Sequence, residues 1–150
     1  AHVVLVGSGG AARAVLYALA RAHVGEVTLL ARSPLKAAGV LAQFGLRGRV
    51  LAMDARLPPA DLLVNASPLG MTGQPPLPLD LAPLPPHAIV YDLVYAPLET
   101  PLLAASRRQG LDVIDGLDML IGQAALAFSL FFGVAPPDGG EAAVRALLTA

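Results

Sequence analysis

The chain has 150 residues, 55% of them hydrophobic and 14% charged, with a mean hydropathy of +0.65. That length fills one well-cored domain rather than two, and the apolar excess suits a sheet buried on both faces. A net charge of −1 removes electrostatic support for nucleic-acid binding, and the absence of cysteine excludes disulfides and Cys-based metal sites.

The three histidines, His2, His23 and His87, lack metal-ligand spacing, so no metal is expected. No apolar run reaches the ~18 residues of a membrane span. The run Ile121–Val134 fits a buried helix instead. No secretory signal is visible, so a cytoplasmic protein is expected. Composition leaves the oligomeric state open.

Short apolar runs alternate with longer helical patterns, as in repeated βαβ units. The first strand is expected at His2–Val6, so close to the first residue that an excised domain is expected. A helix over Ala11–Ala22 closes near Gly25, and Val27–Leu30 follows as the second strand. Ser33 as N-cap and Pro34 at the first helical position predict one helix to Phe44, stopped by Gly45. Arg49–Met53 and Asp61–Asn65 read as the third and fourth strands. Gly73–Pro86 holds six prolines, which fit a surface loop or lid and neither a helix nor a central strand. Then come a strand at Ala88–Val94, a helix at Thr100–Gln109 ending at Gly110, and a strand at Leu111–Ile114. Asp118 reads as the N-cap of a long apolar helix to Phe132, and Glu141–Leu148 as a last amphipathic helix. The fold expected is α/β: a Rossmann-like, doubly wound, parallel six-stranded sheet in the order 3-2-1-4-5-6, with helices on both faces. Ligands of such sheets bind at the carboxyl ends of the strands, near the switch between strands 1 and 4.

After the first strand comes Gly7-Ser8-Gly9-Gly10-Ala11-Ala12, a G-x-G-x-x-A pattern. Gly7 permits a tight turn, Gly9 lets the backbone approach a pyrophosphate, and Ala12 lets the helix pack on the strand. Alone, the pattern is equally met by a structural glycine turn. Its place between a first strand and a helix favours dinucleotide binding. An NAD site usually carries an acid at the end of strand 2. Here the strand runs into Ala31-Arg32-Ser33-Pro34-Leu35-Lys36, with no acid. Arg32, Ser33 and Lys36 suit a 2′-phosphate, so NADP is favoured over the alternative of two solvated surface charges.

Downstream lie Asn65-Ala66-Ser67-Pro68-Leu69-Gly70-Met71, then Asp92-Leu93-Val94-Tyr95-Ala96-Pro97 reaching Thr100, then Gly116 to Met119-Leu120 and Gln123. With the glycine loop and the Arg32-Ser33 turn, these five segments in this order resemble the shikimate dehydrogenase family. Its patterns are G-x-G-G, an Asn-Arg-Thr-like turn, N-A-[ST]-x-x-G-M, D-x-x-Y-x-P-x-x-T and G-x-x-M-L-x-x-Q. The resemblance implies NADP-linked, reversible reduction of 3-dehydroshikimate to shikimate. Gly7, Ser8, Gly9, Gly10 and Ala11 would hold the pyrophosphate, and Arg32, Ser33 and Lys36 the 2′-phosphate. Leu93 and Gly116 would line the nicotinamide, Asn65, Ala66 and Ser67 would shape the floor of the cleft, and Tyr95 and Gln123 would reach the substrate. One departure is Ala31, where the family carries Asn, which removes a polar adenosine contact and loosens cofactor selectivity.

Residues 1–150 would then form the NADP-binding domain. The catalytic Lys–Asp pair would lie in an N-terminal substrate domain absent from this chain, whose one lysine is Lys36. No catalytic residue is expected here. Other readings remain: a quinate/shikimate dehydrogenase, a methylene-tetrahydrofolate dehydrogenase, or a non-catalytic, nucleotide-sensing NADP-binding module. Tyr95 also reads as a boundary tyrosine, Gln123 as a helix-surface residue, Asp92 as structural, and Met119 and Leu120 as core.

Overall fold

The computed structural model describes residues 1–150. Aliphatic runs without polar alternation become strands buried on both faces, as a parallel sheet requires. The elements, in chain order, are β1 (His2–Val6), α1 (Gly10–Arg21), β2 (Glu26–Ala31), α2 (Pro34–Ala37), α3 (Val40–Gln43), β3 (Gly48–Ala52), β4 (Leu62–Asn65), β5 (Ile89–Asp92), α4 (Pro101–Arg108), β6 (Asp112–Ile114), α5 (Gly116–Phe132) and α6 (Gly140–Leu148). The six strands pair in parallel in the order β3-β2-β1-β4-β5-β6, as expected. In register, Val6 lies beside Leu30 on one side and Asn65 on the other.

Alternate side chains of each strand feed two cores. Val3, Leu5, Val27, Leu29 and Val64 meet Ala12, Leu16 and Leu19 of α1 and Ala37, Val40 and Leu41 of α2 and α3. Val4, Val6, Leu30, Leu63 and Val90 meet Leu102 and Leu103 of α4. Thr100 caps α4, its hydroxyl accepting from Leu103 N at 3.2 Å, and Pro101 occupies the first turn where no N–H is needed.

Four expectations need correction. The single helix over Pro34–Phe44 is two separate turns, α2 and α3, with Gly39 capping the second. Glycine gains least from helix formation, and Ala37, Val40 and Leu41 bury their side chains without a continuous helix. The proline-rich segment is not a lid. Leu77, Leu81 and Leu84 are buried in the α4-side core, so it covers the sheet where a helix would otherwise lie. The long helix starts at Gly116, capped by Asp115 rather than Asp118. Asp115 directly follows β6, and its carboxylate accepts from Leu117 N at 3.1 Å and Asp118 N at 3.2 Å. Finally, the apolar run Ile121–Val134 is not a buried helix. Leu126, Leu130, Phe131 and Phe132 are exposed, and Phe131 is 84% exposed. No helix is long and apolar enough to cross a membrane.

These two environments separate in a stability measurement. Leu103→Ala, at a fully buried site, is expected to cost about 2–5 kcal/mol in urea unfolding. Leu130→Ala, on the exposed stretch of α5, is expected to change stability by less than ~0.5 kcal/mol. A large loss at Leu130 would mean that α5 is packed in this chain.

Candidate functional site

The chain leaves β1 and β4, adjacent strands, in different directions, which opens a crevice at their carboxyl ends. Gly7 N donates to Leu30 O at 2.8 Å, and Ala66 N donates to Val6 O at 2.9 Å, so both exits are tied to neighbouring strands. Gly7 has φ +105°, and a Cβ there would lie 2.9 Å from Ala66 O. Only glycine fits that approach. Gly9 is glycine for the opposite reason: a Cβ there meets nothing within 4 Å. Its face, with Ser8, Gly10 and Ala11, is open to solvent at the start of α1, while Ala12 is fully buried against the sheet. No side chain caps α1 and no acid sits in its first turn, so its leading N–H groups and positive end stay available to an anion.

At the end of β2, Ala31 is buried, whereas Arg32, Ser33 and Lys36 are exposed. Neither cation joins an ion pair within the chain, and the Ser33 hydroxyl makes no capping bond. Because α2 is a single turn, any attraction for phosphate here comes from these side chains rather than from a helix dipole.

Across the switch, a buried polar network fixes the loops after β4 and β5. Asn65 Nδ2 donates to Asp92 Oδ1 at 2.9 Å and to Leu69 O at 3.0 Å. Asn65 Oδ1 accepts from Ser67 N at 3.0 Å and Ser67 Oγ at 2.7 Å. Asp92 also accepts from Thr100 Oγ1 at 2.6 Å and Val94 N at 3.1 Å. Burial pushes the Asp92 carboxyl above its ordinary range, against the pull of the donors Thr100, Val94 and Asn65. Asn65 is fully buried and its amide is fully used within the chain. It presents no side-chain atom to the crevice, whereas Ala66 and Ser67 are half-buried. The two loops also join directly, Thr72 N donating to Ala96 O at 2.8 Å. Beyond them Leu93 is half-buried and Tyr95 is exposed.

Gly116 completes this side. A Cβ there would lie 2.4 Å from Val94 O and 2.6 Å from Leu93 O, so the first turn of α5 rests directly on the β5 loop. Gln123, two turns along α5, is exposed. Asp115 is paired with Arg145 of α6, which holds its carboxyl below the usual range. Asp115 and Asp118, with burial as the larger cause, push the nearby Tyr91 hydroxyl upward. Asp115 and Arg145 were not among the residues expected at the site. An Asp between a strand and a Gly is a cap signal that could have found the first. Arg145 sits 30 residues away and carries no local signal. No three His, Cys, Asp or Glu side chains cluster for a metal. A broad depression lined by Glu26, Arg47, Arg49 and Asp61 lies at the amino ends of the strands, opposite the crevice.

Comparison with known proteins agrees with this fold. A family model described as the shikimate 5'-dehydrogenase C-terminal domain matches residues 116–148. A shikimate dehydrogenase (NADP(+)) of Sphingopyxis alaskensis is 69% identical over 150 residues, covering 100% of this chain and 55% of the relative. Over its whole length the chain is similar to one part of shikimate dehydrogenases. It spans about half the length of the curated relatives it matches. Among solved structures, a shikimate 5-dehydrogenase of Thermus thermophilus in complex with NADP(H) and shikimate superposes with a TM-score of 0.79 at 40% identity, over 96% of this chain and 54% of that one. A ligand-free 5-ketofructose reductase of Gluconobacter sp. strain CHM43 reaches 0.85 at 27% identity, over 98% of this chain and 56% of that one.

The buried network makes a direct prediction. Asp92→Ala leaves Asn65, Thr100 and Val94 N without their acceptor and is expected to cost about 2–4 kcal/mol. Asp92→Asn should cost less, and Asn65→Ala combined with Asp92→Ala should cost less than the sum of the two. Denaturant titration of these four variants against the wild type measures this. Additive losses would show that the two side chains act separately.

Proposed function

We propose that this chain binds NADP across the carboxyl ends of its sheet and is the cofactor-binding part of an NADP-dependent shikimate dehydrogenase, which interconverts 3-dehydroshikimate and shikimate. One observation carries the cofactor assignment. Gly9, with its open face, follows β1, and the neighbouring strand β2 ends in two cations outside any ion pair, Arg32 and Lys36, with no acid after it. In this reading Gly7, Ser8, Gly9, Gly10 and Ala11 hold the pyrophosphate, and Arg32, Ser33 and Lys36 hold the 2′-phosphate. Leu93 and Gly116 lie along the nicotinamide. Shikimate dehydrogenase relatives named for NADP(+), and one in complex with NADP(H) and shikimate, support it.

The bound cofactor supplies the hydride. This chain's residues orient it: the β1 loop and the cations at β2 take one half, and the β5 loop with the start of α5 takes the other. Tyr95 and Gln123, both exposed, position the substrate from this side. A ketone reduction also needs a proton donor within about 3 Å of the oxygen. Lys36 is the one lysine and follows β2, on the far side of the switch from β5. The family resemblance implies a Lys–Asp acid–base pair in a separate N-terminal substrate domain, which would bind shikimate jointly with this one. The exposed apolar residues Leu126, Leu130, Phe131 and Phe132 fit coverage by further polypeptide of such an enzyme. A cytoplasmic location is part of the same proposal.

Two measurements test this. Neutralising Arg32 and Lys36 together is expected to weaken NADP binding by roughly 2–4 kcal/mol, at about 1–2 per charge-assisted contact, and to leave NAD binding nearly unchanged. Equal losses for both cofactors would remove the 2′-phosphate role. Gly9→Val should abolish NADP binding in a folded protein, as read by calorimetry. In the second measurement, the 150-residue chain should oxidise no NADPH with 3-dehydroshikimate above background. Turnover should appear when the substrate domain is joined to it. Robust turnover by the chain alone, lost in Tyr95→Phe, would overturn the two-domain division.

A further inference from the structure

We infer that Arg145, on the last helix, is a positioning residue for the ring end of the nucleotide site, acting through Asp115. The inference rests on the cofactor reading above. The first turn of α5 has almost no freedom, because Gly116 already lies against the carbonyls of Leu93 and Val94 at distances that leave no room for a Cβ. Asp115 holds that turn in place. Its Oδ1 accepts from Leu117 N and Asp118 N, and the carboxylate itself is buried. A buried carboxylate needs a counter-charge, and Arg145 provides it as a fork. Arg145 Nη1 donates to Asp115 Oδ1 at 3.1 Å and to Asp118 Oδ1 at 2.8 Å, and Nη2 donates to Asp115 Oδ2.

The pairing runs both ways. No residue of α6 is buried, so its place on α5 rests on these ion pairs more than on apolar packing. Asp115 and Asp118 leave two negative charges at the start of α5, with Arg145 as the one cation paired to them. Without Arg145, Asp115 would turn toward water, release the two amides and let Gly116 lift from the β5 loop. That shift falls on the half of the crevice assigned to the ring. It leaves Gly9, Arg32 and Lys36, on the other side of the switch, untouched.

Calorimetry with two probes separates the halves. NADP+ needs both, whereas 2′-phosphoadenosine diphosphate ribose lacks the ring and needs the first alone. Arg145→Met is expected to weaken NADP+ about tenfold, the scale of one lost charge-assisted hydrogen bond, with the ring-less probe unchanged. Arg145→Lys keeps the charge without the fork and should recover part of the loss. Asp115→Ala removes both the cap and the ion pair, so it should reproduce the selective loss even if Arg145→Met folds poorly. Equal weakening of both probes, or no weakening of NADP+, overturns the inference. A wild-type chain that binds neither probe overturns the cofactor reading along with it. Normal wild-type binding with non-selective variants overturns the role of Arg145 alone.

Discussion

Two side chains at neighbouring strand ends, Asn65 and Asp92, hold the rest of the crevice in place. Taking a carboxylate out of water is costly unless its lone pairs are met, and Asp92 meets this with Asn65, Thr100 and Val94 N. Each partner extends the constraint. Through Thr100 it reaches the first turn of α4, through Asn65 the Ser67 turn, and through Val94 the carbonyls on which Gly116 rests. The open loops proposed to meet the cofactor are therefore suspended from a core that has little freedom to adjust. Such pre-organisation lowers the ordering cost of binding.

The two halves of the crevice are built differently. On the β1 side, crowding is confined to Gly7 and the ligand face is left open at Gly9. At the end of the adjacent strand, Arg32 and Lys36 join no ion pair, so on the proposed reading a phosphate would displace water and little else. On the β5 side, backbone lies against backbone, and the carboxylates Asp92 and Asp115 already have their partners. On the proposed reading, the first half would suit capture of the phosphate end of a dinucleotide and the second alignment of its reactive end.

The strands were legible because Val3–Val6, Val27–Leu30 and Leu62–Val64 are aliphatic runs bounded by turn residues, and a parallel order follows from the helical spacers between them. The glycine loop was legible because its spacing encodes backbone approach rather than side-chain contact. What escaped notice depends on tertiary neighbours. Pro34 announces a helix start, but only the packing of Ala37 and Val40 shows that Gly39 divides it. Asp115 and Asp118 both carry a capping side chain, and the close approach of Gly116 to the β5 loop, which starts the helix there, decides between them. The apolar run of α5 shows that burial is wanted, not that this chain provides it. The inward turn of Asn65 and the reach of Arg145 to Asp115 are contacts at a distance, and no local pattern encodes them.

The proline-rich cover over the α4-side core bears on how this fold varies in length. In a helix, one inserted residue rotates everything beyond it by about 100° and carries apolar side chains out of the core. Between Leu77, Leu81 and Leu84 no such periodicity applies, since three anchors are buried and much of the chain between them faces water. An extra residue there lengthens a bridge and leaves its piers standing. This stretch of the domain can therefore gain or lose residues over generations while the sheet beneath it keeps its register.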